Sequence, residues 1–190
     1  FHGCKSLENV ELNEKVTSIG NSAFKGCVAL KGLELPEELT SMGESAFRGC
    51  KRLIDLTFPE KLAFIGKGAF KECSGLKSLS IPDTVTSIAD HAFAECSGLT
   101  EVTLGVTVTS IGSYAFSGCR QLTELTIPDR VAIIGPGAFA FCESLKEVTI
   151  PKGLNHAIST SSKSSAGTAL SQFFGCKGLK SVTFKVPALS

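Results

Sequence analysis

Eight cysteines divide the chain at nearly constant intervals, and this spacing restricts the possible folds more than any other feature. The first seven follow one another every 23 residues, and the last gap is 34, which is 23 plus an insertion of 11. A Phe stands three residues before each Cys. A fixed period of this length indicates a repeat architecture, in which each repeat is one unit stacked on the next. The cysteines are Cys4, Cys27, Cys50, Cys73, Cys96, Cys119, Cys142 and Cys176.

Apolar residues recur at fixed columns within the repeat, in the pattern C-x2-L-x2-L-x-L-P-x2-L/V-x2-I-G-x2-A-F-x2. The L-x-L alternation predicts a short strand with one buried face, which a Pro ends in five repeats. A second alternating segment, such as 85–88, predicts a short second strand, and the A-F-x2-C-x2-L spacing predicts a helical or 3₁₀ turn. The fold class is therefore an α/β repeat solenoid with 23-residue coils and a parallel β-sheet on one face.

The repeats extend over nearly the whole chain, so we expect a single domain, 1–190, of about eight coils. Both ends fall within a coil, and flanking repeats or a partner are expected to cover them. One stretch, 155–172, is rich in Ser and Thr and interrupts the pattern, with Gln172 where Ala is expected before Phe173. It is interpreted as an inserted loop, which serves either as a spacer or as a contact for a partner.

The segments 76–82 (L-K-S-L-S-I-P) and 88–96 (I-A-D-H-A-F-A-E-C) carry a family resemblance. Over 1–154 and 173–187 the chain resembles the BspA-like (Treponema pallidum type) leucine-rich repeat family. The resemblance implies a leucine-rich repeat fold and a non-enzymatic protein-binding or adhesion module in a larger surface or secreted protein. The alternative is a structural or scaffold subunit of a multiprotein assembly that has no ligand of its own.

Composition narrows the function classes. The net charge of +1, from 19 Lys and Arg against 18 Asp and Glu, argues against a nucleic-acid partner. No apolar run approaches the ~18–20 residues of a membrane span. No G-x-S-x-G, Walker-type or H-E-x-x-H motif is present, and the three His lie near no matched nucleophile. We therefore expect no catalytic residues, no cofactor and no metal.

The cysteine column has three interpretations. Stacked coils would place successive Cys about 5 Å apart, which is within the Cα range of a disulfide. A metal site is disfavoured because the period puts successive Cys on different coils, and no C-x2-C occurs. A column shared by every coil is best explained by packing, since Cys behaves as a small buried hydrophobic residue. We favour free structural thiols, with disulfides as the alternative.

The outward columns of the first strand are the candidate protein-binding face. They are rich in Thr and bordered by acidic residues, whereas Lys and Arg gather in the turn around Phe and Cys. Thr suits an exposed strand and the charges keep an edge soluble, so solubility alone is one explanation, and a patch complementary to a basic or polar protein surface is the other. The residues are Glu11, Glu34, Thr57, Ser80, Thr103, Thr126, Thr149, Thr183, Glu37, Glu60 and Asp83.

Three apolar residues break columns that are otherwise polar or Gly. Phe64 and Ile133 stand where other coils have Ser, and Phe141 replaces Gly or Glu. Either they pack on a neighbouring coil or they mark a contact patch.

Overall fold

Short parallel strands in two rows make up the secondary structure of the protein. The computed structural model describes residues 1–151, 154 and 172–185. The first row comprises β1 (Asn9–Val10), β3 (Gly32–Leu33), β6 (Ser78–Ser80), β8 (Glu101–Thr103), β10 (Glu124–Thr126), β12 (Glu147–Ile150) and β13 (Ser181–Phe184). The second row comprises β2 (Ser18–Ile19), β4 (Ser41–Met42), β5 (Phe64–Ile65), β7 (Ser87–Ile88), β9 (Ser110–Ile111) and β11 (Ile133–Ile134).

Strand register confirms a solenoid of 23-residue coils. Residues paired between neighbouring strands differ by 23 in number, as in Asn9 with Gly32 and Glu124 with Glu147. We number each coil from its Cys to the residue before the next Cys, so that coil 1 is 4–26 and coil 6 is 119–141. Between β12 and β13 the offset is 34, from Glu147 to Ser181, so the register of the row continues past the insertion. The count of eight coils and the single-domain boundary remain predictions, and the insertion up to residue 171 lies outside the described residues.

One stack of phenylalanine rings runs through the core. Consecutive rings are parallel within 12°, and their centroids lie 5.2–5.5 Å apart. The rings from Phe47 to Phe139 are fully buried, and so is the Leu that follows each Cys from Cys27 to Cys142 by three residues. Each coil therefore buries its apolar columns against the same columns of its neighbours, which is how a unit too small for its own core becomes stable. The stack consists of Phe1, Phe24, Phe47, Phe70, Phe93, Phe116, Phe139 and Phe173.

The segment that precedes each Cys is a turn bonded to the next coil, so the predicted helical or 3₁₀ turn was wrong. In the turn that ends coil 1, every second backbone amide donates to the carbonyl three residues earlier in the chain. The amides between them donate to backbone carbonyls of coil 2. Because every second amide is used between coils, the consecutive bonds of a helix cannot form. The first set is Ala23, Lys25 and Cys27, at 3.1–3.3 Å, and the second is Ser22, Phe24 and Gly26, at 2.7–2.8 Å.

Glycine after the second strand lets consecutive coils approach closely. A Cβ on Gly66, Gly112 or Gly135 would lie 2.5–2.6 Å from an atom of the preceding coil. Each of these amides donates to a carbonyl of that coil at 2.8 Å. Coil 4 has Ala89 in this column, and among the described residues its amide makes no such bond to Ile65 and β5 does not pair with β7. The extra methyl group accounts for the break in the second row at this point, whereas the turns of coils 3 and 4 remain bonded, as from the Phe70 amide to the Ala92 carbonyl at 2.8 Å.

We expect Gly112→Ala to lower the free energy of unfolding by about 1–3 kcal/mol, because the new Cβ would overlap the backbone of Ala89 and Asp90. Gly20→Ala is the matched control: it occupies the same column, and nothing lies within 4 Å of its added Cβ. That variant should stay within about 1 kcal/mol of the wild type. Urea unfolding of the three proteins measures both values. Equal stabilities for the two variants would contradict the close-approach explanation.

The pairing of the first row is interrupted twice, between β8 and β10 and at coil 3. Residues 55–57 form no strand, although their sequence fits the pattern. Coil 3 carries Phe58 where coils 1, 2 and 4–7 have Leu or Ile, and its buried ring meets Phe70 edge-on at 5.5 Å and Phe93 at 6.4 Å. The larger ring takes up space beneath the strand and accounts for the irregular backbone there.

Candidate functional site

The outer surface of the first strand row carries the residues predicted as the protein-binding face. Period-2 alternation places them there: in β8, Val102 is buried while Glu101 and Thr103 on either side are exposed. Every predicted face residue is exposed except Thr149, which is half-buried. Asp83 also has a structural role, because its carboxylate accepts a hydrogen bond from the Val106 amide at 2.8 Å.

Acidic residues concentrate on this surface. Three columns of the repeat face outward on this surface, at the positions five, seven and ten residues after each Cys. Together they contain eleven exposed carboxylates out of the 18 in the chain. In the sequence these columns contain one basic residue, Lys152, which lies outside the described residues. Coils 1–7 each supply at least one acid. The eleven are Asp55, Glu101, Glu124, Glu147, Glu11, Glu34, Glu14, Glu37, Glu60, Asp83 and Asp129.

Four hollows lie end to end on the same surface and form one trough along the solenoid axis. Their linings extend over coils 1–2, 2–3, 3–5 and 5–6. Neighbouring hollows share lining residues, so the trough is continuous. The shared residues are Leu33 and Glu34, then Thr57 and Phe58, then Glu101 and Thr103. At about 4.8 Å per coil, the trough from coil 1 to coil 6 is roughly 24 Å long.

Among the described residues that line the four hollows, cations occur only over coils 5–6. Arg130 and Lys185 line the hollow over coils 5–6, and the Lys185 ammonium lies 2.8 Å from the Asp129 carboxylate. Sequence analysis did not find this ion pair, because its partners are 56 residues apart and Lys185 follows the last strand. At the flanks Lys31 pairs with Glu8 at 3.0 Å, and on the turn side Arg48 pairs with Glu72 at 2.9 Å.

The cysteine column makes a second ladder inside the core. Each thiol donates to the carbonyl of the Phe that precedes the previous Cys, at 3.1–3.4 Å, as Cys96 does to Phe70 at 3.2 Å. This bond gives a reason for Cys rather than Ala, because the S–H adds a second donor to a buried carbonyl. The same carbonyl already accepts a backbone amide, as Phe24 does from Cys27 at 3.1 Å. All eight thiols are free, and those from Cys27 to Cys142 are buried. The structural role of the column remains a proposal.

Burial changes the acidity of these thiols. It raises the pKa of Cys96 and of Cys50 to about 12, and those of Cys73 and Cys119 well above the usual range. The cause is desolvation, which disfavours the thiolate. The pKa of Cys176 is lowered instead, because the neighbouring Cys142 side chain stabilises its charged form. The fully buried thiols are therefore poor nucleophiles at neutral pH.

The apolar residues singled out in the sequence lie at the surface. Exposed fractions are 53% for Phe64, 64% for Ile133 and 41% for Phe141. Phe141 contacts the neighbouring coil, since its ring meets Phe174 edge-on at 5.4 Å. Phe64 and Ile133 belong to the second row and lie off the acidic face.

Comparison with known proteins assigns the repeat. The family model of the BspA type leucine rich repeat region matches in six copies, over residues 1–79 and 63–184. A leucine rich repeat protein of T. pallidum is 38% identical over 76% of this chain and 68% of its own, with a TM-score of 0.74. A leucine-rich repeat protein of Bacteroides ovatus is 28% identical over 97% of this chain, with a TM-score of 0.65. The chain spans only 51% of the length of that protein.

No curated protein is similar to the chain at a significant level. Within 1–151, 154 and 172–185, no helix is long and apolar enough to cross a membrane.

Proposed function

The chain belongs to the BspA-type leucine-rich repeat family, and on that basis we propose that it is a non-enzymatic module that binds a cationic protein partner on its strand face. Solenoids of this family typically mediate protein interactions. One observation carries the proposal: eleven exposed carboxylates share three columns whose sequence contains a single basic residue, Lys152. A negative electrostatic potential over an extended surface attracts positively charged partners and disfavours negatively charged ones.

The charge on this face exceeds what solubility requires. Solubility is served by charges of both signs interspersed over the surface, whereas here most of the acids lie on one side. Individual surface ion pairs contribute only about 0–1 kcal/mol, so a partner must meet many of the acids at once. The repeat makes this possible, because it places at least one acid on each of seven successive coils.

A scaffold role is the second candidate, and Phe64 and Ile133 favour it. Both project from the second row with more than half of their surface exposed. An assembly that packs on this row would bury them without using the acidic face. We propose a cell-surface or secreted location for this binding module, as the family resemblance implies.

We expect Glu34→Lys/Glu60→Lys to abolish capture of the partner, since it replaces two negative charges on the trough by two positive ones. The measurement is affinity capture from extracts of the source cells or their hosts, with quantitative mass spectrometry of wild type and variants. The matched control is Glu44→Lys/Glu143→Lys, which changes the net charge equally but lies off the face.

The control variant should retain the partner at wild-type levels. Unchanged recovery by the face variant would contradict the acidic face as the binding site. Loss in both variants would show a response to net charge alone.

A further inference from the structure

The shape and period of the acidic trough restrict what kind of polypeptide element can occupy it. The first-row strands cross the solenoid axis, and inside the stack β8, β10 and β12 each have a strand directly on either side. β8 and β10 are not joined by a ladder of hydrogen bonds, but they lie too close together to admit another strand between them. A partner strand cannot add to this sheet along the trough, because strand addition requires a free edge. The partner element must therefore lie along the axis, across the strands.

The spacing of the acids then decides between an α-helix, an extended chain and a polyproline II helix as the partner element. Coils repeat at about 4.8 Å. An α-helix repeats one face every 5.4 Å, whereas an extended chain repeats a face about every 6.6 Å and polyproline II about every 9.3 Å. A helix therefore comes closest to one cation per coil, and the flexible side chains of Lys and Arg can take up the remaining difference.

We infer that the trough receives a cationic amphipathic α-helix of a partner protein, which lies along the solenoid axis and places one Lys or Arg per turn against successive coils. This inference rests on the proposed function. The helix would span coils 1–6, where the trough is acidic, and its basic stripe would end before the Asp129–Lys185 ion pair. Val106 offers apolar contact to the uncharged part of the helix, since it lines the hollow over coils 5–6 with 65% of its surface exposed.

Three designed peptides of 20 residues test the inference, at a length of about 30 Å when helical. All are rich in Ala and carry the same number of Lys. The stripe peptide has Lys every three or four residues on one helix face. In the scattered peptide the same Lys residues surround the helix, and the broken peptide is the stripe sequence with two central Ala replaced by Pro, which prevents the helix.

Fluorescence anisotropy with the full chain measures binding of each labelled peptide at low and moderate salt. We expect the stripe peptide to bind about tenfold or more tightly than the other two, with an affinity that falls as salt rises. Glu34→Lys/Glu60→Lys should weaken the stripe peptide by about tenfold, and Glu44→Lys/Glu143→Lys by less than about threefold. Circular dichroism of the stripe peptide should show increased helix content on binding.

Each other outcome overturns the inference. Equal binding of the three peptides would mean that the trough recognises charge without helical order, and the proposed function would stand. Binding of the stripe peptide that is unaffected by the face variant would place it elsewhere on the molecule. Absence of binding by all three would reject the helix as occupant, whereas the proposed function fails only if partner capture is insensitive to the face variant.

Discussion

The free energy of unfolding is expected to fall steeply above about pH 9, by roughly 4 kcal/mol for each pH unit. Cys73, Cys96 and Cys119 are fully buried, and desolvation raises the pKa of each thiol well above that of a free Cys. Below about pH 8.5 both the folded and the unfolded chain keep these protons, so the thiols do not affect stability. As the pH rises further, only the unfolded chain loses them, and each thiol then costs about 1.4 kcal/mol per pH unit until its folded pKa is reached.

Urea unfolding at pH 7.5, 9 and 10 with a reducing agent measures this slope. A typical domain is stable by about 5–15 kcal/mol, so the protein should unfold before pH 12. In Cys96→Ala one titrating thiol is missing, and the slope should decrease by about 1.4 kcal/mol per pH unit whatever the variant's stability at pH 7.5. A slope that is the same in both proteins would contradict the assignment to the thiol column.

The sequence was sufficient to predict the 23-residue coil and the residues that it buries, because both follow from apolar residues that recur at the same position of every repeat. A residue such as Leu79 or Val102 recurs in an alternating pattern every 23 residues, and only stacking can bury such a pattern. The same alternation predicted that Glu34 and Thr103 face outward, as they do. Properties that repeat identically in each coil are therefore visible in a single sequence.

The turn before each Cys was predicted wrongly because apolar spacing does not reveal where amides donate. Ala23, Phe24 and Cys27 have the spacing of a helical turn, and they also fit a turn whose alternate amides bond to the next coil. These two structures bury the same side chains. They differ in backbone partners that lie about 22 residues away, as for Phe24 and Ala46.

Residues that depart from the repeat can be seen in the sequence, but their structural consequences depend on distances between neighbouring coils, which the sequence does not contain. Ala89 replaces Gly in one coil, and the lost pairing of β5 with β7 follows from the close approach that Gly permits in the other coils. The trough has a similar explanation. Its acids could be read from the columns, whereas its continuity depends on hollows that overlap between coils, and its cationic end depends on Lys185, which belongs to no column.

Phe93→Ala is expected to lower the free energy of unfolding by about 3–5 kcal/mol, the largest effect of any single substitution proposed for this chain. The Phe93 ring is fully buried and stacks between Phe70 at 5.5 Å and Phe116 at 5.3 Å, with Phe58 at 6.4 Å. Truncation leaves a cavity that these neighbours cannot fill, because each is fixed in the same stack. The lost contacts are those between coils, which supply most of the stability of a solenoid.

Two control substitutions separate burial from ring chemistry in the Phe93 experiment. Phe93→Leu keeps most of the volume and should cost about 1–2 kcal/mol. Phe64→Ala removes the same ring from an exposed site, 53% accessible, and should change stability by less than about 0.5 kcal/mol. Because Phe93 couples the coils on either side of it, Phe93→Ala should also decrease the denaturant m-value, as the two halves begin to unfold separately. A loss below about 1 kcal/mol for Phe93→Ala would contradict the phenylalanine stack as the core of the solenoid.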